Sequence, residues 1–100
     1  MKHEVFHQYV DRVCNLFSLS REELFSKSKK RSIVDARYLL YYLCFNRPMN
    51  IRYIQTYMNE AGYMIEHSSI IHGINVVNKR MTDDRDYVSV VKELERAVYI

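Results

Sequence analysis

Apolar residues recur along this chain at three- and four-residue steps, the spacing that lines up one face of a helix. Val5, Phe6, Tyr9, Val10, Val13, Cys14 and Phe17 make the first such stripe, and Ser18 and Ser20 close it. Ser20-Arg21-Glu22-Glu23 then reads as a capping box, so a short helix should begin at Arg21, with Leu24 and Phe25 as its anchors. Polar and basic residues follow up to Arg31 and predict a loop. Ser32 is placed to cap a third helix carrying Ile33, Ala36, Leu39, Leu40, Leu43 and Cys44, which must stop before Pro48 because proline disfavours helical geometry at Arg47. Asn50 is a good N-cap for a fourth, short helix with Ile51, Ile54 and Met58. Gly62 breaks the period between Asn59 and Glu66. A strong helix with Ile70, Ile71, Ile74, Val77 and Met81 as its apolar stripe comes next; Thr82, Asp83 and Asp84 stop it and re-cap the chain. Tyr87, Val88, Val91, Leu94 and Val98 form a last amphipathic helix. Six helices, two of them short, predict an all-α, compact helical bundle.

Composition agrees with that pattern. With only Gly62, Gly73 and Pro48 as breakers, and 48% hydrophobic residues, the chain suits helices and one modest core better than a sheet with many turns. One hundred residues correspond to one domain, expected to span 1–100. No apolar run reaches the length of a membrane helix, and the start lacks the continuous apolar stretch of a signal peptide, so a cytoplasmic location is expected. Cys14 and Cys44 sit far apart inside apolar patterns and are expected to be reduced core residues.

The net charge of +3 says little, but its distribution says more. Lys27, Lys29, Lys30, Arg31 and Arg37 face only Asp35 within residues 27–37, whereas residues 82–100 are acidic on balance. A basic stretch on a nearly balanced chain points to an anionic partner. The helix pair around 50–58 and 67–81 fits a helix-turn-helix, in which the second helix enters the major groove of DNA. That second helix opens with Glu66, His67, Ser68 and Ser69, followed by His72 one turn on. Short hydrogen-bonding side chains at a helix start can reach base edges, and the helix amides favour phosphate. The alternative for Ser68 and Ser69 is that they cap the helix, with the histidines on a solvated face.

The order of these segments resembles the C-terminal DNA-binding domain of the bacterial replication initiator DnaA. Two blocks carry the resemblance: Glu23-Leu24-Phe25-Ser26-Lys27-Ser28-Lys29-Lys30-Arg31-Ser32-Ile33-Val34 with Ala36-Arg37, and Glu66-His67-Ser68-Ser69-Ile70-Ile71-His72. The resemblance implies a Trp-repressor-like helix-turn-helix fold, here about residues 50–81, that binds double-stranded DNA with a sequence preference. It implies that Lys29 enters the minor groove, that Arg31 and Arg37 touch DNA near the same edge, and that Lys27 and Lys30 add to the phosphate-binding loop. Glu66, His67, Ser68, Ser69 and His72 match the major-groove set. Asn50, Ile51 and Arg52 stand where the bracing helix meets phosphate. This chain departs from the family in a longer turn over residues 59–65, in Glu66 for an aspartate, in Tyr38 for a glutamine, and in Asp35.

No Gly-x-x-x-x-Gly-Lys phosphate loop occurs, so the expectation is binding without ATPase activity or any cofactor, not an enzyme. A DnaA-like accessory replication factor or a transcription regulator, of cellular or phage origin, fits that description, with replication or transcription proteins as further partners and the nucleoid as its place. The other class of function is a protein-interaction adaptor that kept the fold but lost DNA, favoured by the long turn and Asp35. His3-Glu4-Val5-Phe6-His7 matches a zinc protease pattern, but in the first turn of the chain and without a third ligand; no metal site is expected. Tyr38, Tyr41, Tyr42 and Tyr53 could stack on single-stranded bases or pack the core with their hydroxyls at its edge.

Overall fold

A computed structural model describes residues 1–98. Six helices follow one another: α1 (Lys2–Phe17), α2 (Arg21–Leu24), α3 (Arg31–Asn46), α4 (Ile51–Glu60), α5 (His67–Asp83) and α6 (Arg85–Arg96). Their boundaries follow from local chemistry. Ser18 ends α1 in the left-handed conformation, at φ 56° and ψ 47°. The predicted capping box at Ser20 is complete, with Ser20 Oγ accepting from the Glu23 amide and Glu23 accepting from the Ser20 amide. Asn50 caps α4 by accepting from the Tyr53 amide, and Asp84 caps α6 by accepting from the Asp86 and Tyr87 amides.

α3 differs from its expected start. It begins at Arg31, and no side chain caps it; Ser32 lies inside its first turn. Ser28 Oγ instead accepts from the Lys30 amide, so the loop organises the helix start from outside. At the other end α3 stops at Asn46 as expected, although Arg47 keeps near-helical angles. The last helix ends at Arg96, and Val98 is buried beyond it. Arg12 and Arg47 donate to the carbonyls of Ala97 and Val98, which holds that segment against α1 and the end of α3.

One apolar cluster takes residues from every helix, and α3 runs through its middle. Leu39, Leu40, Tyr41, Tyr42, Leu43 and Cys44 are all buried, so this stretch has no solvated face. That settles the tyrosine alternatives for Tyr41 and Tyr42 as core packing, with Tyr38 half-buried beside them, whereas Tyr53 is exposed. Burial pushes the Tyr41 phenol and both cysteine thiols up, and both cysteines are free. Ile71 departs from the predicted stripe of α5. It is 44% exposed, while Gly73 takes its place in the buried face with Ile70, Ile74 and Val77. A Cβ on Gly73 would lie 2.6 Å from Tyr38 Cδ1 and 3.0 Å from Tyr41 Cδ2, so glycine is what lets α5 approach α3. Among the described residues no helix is long and apolar enough to cross a membrane.

Candidate nucleic-acid interface

The basic loop between α2 and α3 is held from beneath by Arg37. Its guanidinium is buried and donates to the carbonyls of Leu24 (3.1 Å), Ser26 (2.8 Å) and Ser28 (2.7 Å). Serines add a second layer of order. Ser26 Oγ donates to the Glu23 carbonyl and accepts from the Ser28 amide. Arg37, expected to touch DNA, is only 5% exposed and commits three of its N–H donors to these carbonyls, so it shapes the loop from within. Lys29, Lys30 and Arg31 are exposed and, among the described residues, belong to no ion pair.

The long turn after α4 has a defined structure. Gly62, at φ 97°, closes α4 in a Schellman arrangement: its amide donates to the Asn59 carbonyl, and the Tyr63 amide donates to the Met58 carbonyl. Gln55 and Asn59 then bind the Ile65 carbonyl and amide. This places the Tyr63 ring against two cations, with Lys27 Nζ 4.5 Å and the Arg37 guanidinium 4.6 Å from its centre. Lys27 also donates to the Met64 carbonyl at 3.1 Å. The turn thus braces the basic loop against the start of α5. Nothing in the loop's own sequence pointed to Tyr63; an aromatic directly after the turn glycine Gly62 was the available signal.

Glu66, His67, Ser68 and Ser69 open α5 and are all exposed, as is His72. No side chain caps this helix, and among the described residues neither Ser68 nor Ser69 bonds its backbone, which leaves the capping alternative without support. His72 meets the Tyr38 ring edge-on, with centroids 5.6 Å apart. Lys29, Tyr38, Ser68, Ser69 and His72 come together around one open depression of about 480 Å³, with Arg37 and Tyr63 in its wall. Asn50 and Arg52 are exposed at the start of α4 and do not line it; the Asn50 carbonyl oxygen is engaged as a cap. Asp35 pairs with Arg80 at 3.2 Å, tying α3 to the far end of α5.

His3 and His7 do come together on α1, but as a hydrogen-bonded pair with Nε2 atoms 3.2 Å apart. Arg21 approaches His7 Nδ1 at 2.6 Å, and since arginine only donates, that nitrogen is an acceptor and the ring proton sits on Nε2. The zinc pattern would need the lone pair of that same Nε2. Burial, then the charges of Arg21 and His3, lower the His7 pKa against the opposing pull of Asp11 and Glu60. A lowered folded value means stability that is full above 6.5 and is lost as pH falls through the folded value. The melting temperature should therefore drop modestly between pH 7.5 and 5, and His7→Gln should flatten that slope. Equal slopes in the two proteins would rule out this coupling.

No family model matches the chain. It is 28% identical to the chromosomal replication initiator protein DnaA of Chlorobaculum tepidum over 88% of its own length and 17% of the relative. The DnaA protein of Bacteroides thetaiotaomicron is likewise 28% identical, over 83% of this chain and 17% of its own. The DnaA protein of Flavobacterium psychrophilum is 27% identical over 96% of this chain and 20% of its own. The resemblance carried by the two sequence blocks thus extends along most of the chain, which spans a fifth or less of these relatives.

Proposed function

We propose that this chain binds double-stranded DNA with a sequence preference, using α4 and α5 as a helix-turn-helix and the basic loop as a second contact. The observation that carries this reading is the convergence of the unpaired cation Lys29 with Ser68, Ser69 and His72 from the first turns of α5 on one depression. Lys29, Lys30 and Arg31 neutralise phosphates and supply affinity, with Lys29 reaching furthest toward the minor groove. Glu66, His67, Ser68, Ser69 and His72 face base edges and supply the preference. Asn50 and Arg52 contact phosphate from the bracing helix, and Lys27 and Arg37 hold the loop in place. The role is that of a DnaA-like accessory replication or regulatory factor acting at the nucleoid by binding, without catalysis. The two features that favoured an adaptor are both accounted for, since Asp35 is neutralised by Arg80 and the long turn supports the loop.

A salt titration with selected and random duplexes tests the proposal. The log–log slope of affinity against salt should be about −0.9 per phosphate neutralised, giving a steep fall over several contacts. Lys29→Ala should weaken binding by about 1–2 kcal/mol and make the slope shallower by about one, without changing the melting curve. Binding that is flat with salt, or absent from every duplex, would end the DNA reading.

A further inference from the structure

We propose that Tyr63 fixes the spacing along the duplex between the two DNA contacts, the basic loop and the start of α5, an inference that rests on the DNA-binding reading above. Lys29 from the loop and Ser68 and Ser69 from the first turn of α5 line one depression, and Tyr63 and Ile65 line it with them. Among the described residues no hydrogen bond or ion pair runs directly from the loop to α5; the connection passes through the turn after α4. On the loop side, Lys27 stands two residues before Lys29, with its Nζ 4.5 Å from the centre of the Tyr63 ring and donating to the Met64 carbonyl. Arg37, which holds the Ser26 and Ser28 carbonyls, meets the same ring at 4.6 Å. On the other side, Gln55 and Asn59 hold the carbonyl and amide of Ile65, the residue before Glu66, which is the N-cap of α5. One half-buried ring therefore joins the support of the loop to the chain that starts α5. The attraction is between cation and π-system, so it needs an aromatic and not merely an apolar side chain. In the DNA-binding reading the loop and α5 meet different grooves, and the offset between them becomes an offset in base pairs. One step along the duplex is roughly 3.4 Å, so a small displacement of the loop brings Lys29 to the wrong step. Tyr63 is thus a positioning residue, acting on the DNA through Lys27 and Lys29.

The test uses the preferred duplex from a random pool, remade with one base pair inserted or deleted between the bases under α5 and those under the loop. Either change should weaken the parent protein about tenfold, the cost of a misplaced contact. Tyr63→Leu keeps apolar bulk against the core and removes the π-system. It should bind the preferred duplex about three- to tenfold less tightly and bind all three spacings nearly equally. Tyr63→Phe keeps the ring and should restore both the affinity and the spacing penalty. Lys27→Met removes one cation from an exposed position, so it should relax the penalty in a folded protein even if a melting curve shows Tyr63→Leu to be unfolded. A penalty as large as the parent's in folded Tyr63→Leu or in Lys27→Met overturns the role of Tyr63 while leaving DNA binding intact. Tolerance of every spacing by the parent, or a Tyr63→Phe that behaves like Tyr63→Leu, overturns it as well. Absence of duplex binding in the parent would instead remove the reading on which it rests, and the role of Tyr63 with it.

Discussion

Alanine in place of Arg37 is expected to lower the unfolding free energy by about 2–4 kcal/mol and to weaken DNA binding in the protein that remains folded. Two carbonyls of the basic loop and the last carbonyl of α2 depend on this one guanidinium. Removing it leaves the Leu24, Ser26 and Ser28 carbonyls to find water or stay unpaired, and bonds from a charged donor are worth more than neutral ones. The Tyr63 ring also loses one of its two cations, so the turn and the loop loosen together. Lys29, Lys30 and Arg31 would keep their charge but lose their shared placement. Urea denaturation beside a duplex titration reads both effects. Lys29→Ala is the contrast: its stability should stay within about 0.5 kcal/mol of the parent, as for other solvated positions. If Arg37→Ala is as stable as the parent yet binds DNA poorly, then Arg37 faces the phosphates after all and the loop-holding role is wrong.

Arg37 also shows where a sequence stops informing. Its place in a basic run, one residue past an alanine of the apolar stripe, gave no sign of burial, because charge density is read along the chain whereas burial is decided by what packs across it. The guanidinium could be taken inside only because the carbonyls of Leu24, Ser26 and Ser28 face it, and the loop's turn is made by Ser26 and Ser28. Caps were legible for the opposite reason. Ser20, Asn50 and Asp84 act within three residues of themselves, so local sequence holds all the partners. Ile71 was misplaced because periodicity counts apolar residues and cannot weigh a glycine: the buried side of α5 is set by Gly73, which α3 needs for close approach. Asp35 looked like a liability for an anionic partner until its ion pair with Arg80, forty-five residues on, was visible. Among the candidate site residues, Lys29, Arg37, Ser68, Ser69 and His72 line one depression, whereas Lys27, Lys30, Arg31, Asn50, Arg52, Glu66 and His67 do not.

The close approach at Gly73 carries the other large expected effect. Gly73→Val should destabilise the fold by about 3 kcal/mol, the upper part of the usual range for overpacking, because its side chain has nowhere to go except into Tyr38 and Tyr41. Gly73→Ala separates two opposing terms. Alanine gains about 1 kcal/mol of helix propensity over glycine, but its Cβ falls 2.6 Å from Tyr38 Cδ1, closer than carbon atoms can sit. The Tyr38 ring is half-buried and can swing outward, which Tyr41, buried to 1% exposure, cannot do without disturbing the core. The net change for alanine is therefore expected to be a loss smaller than for valine, with the Tyr38 ring displaced from His72. Removing the ring should reverse the sign. In a Tyr38→Ala background, Gly73→Ala should be neutral or stabilising, since the propensity gain then meets only the 3.0 Å contact with Tyr41. A double-mutant cycle read by urea denaturation gives the coupling directly. Additive effects of the two substitutions would mean that the α3–α5 spacing is not set by this contact, and that glycine at position 73 has no packing role.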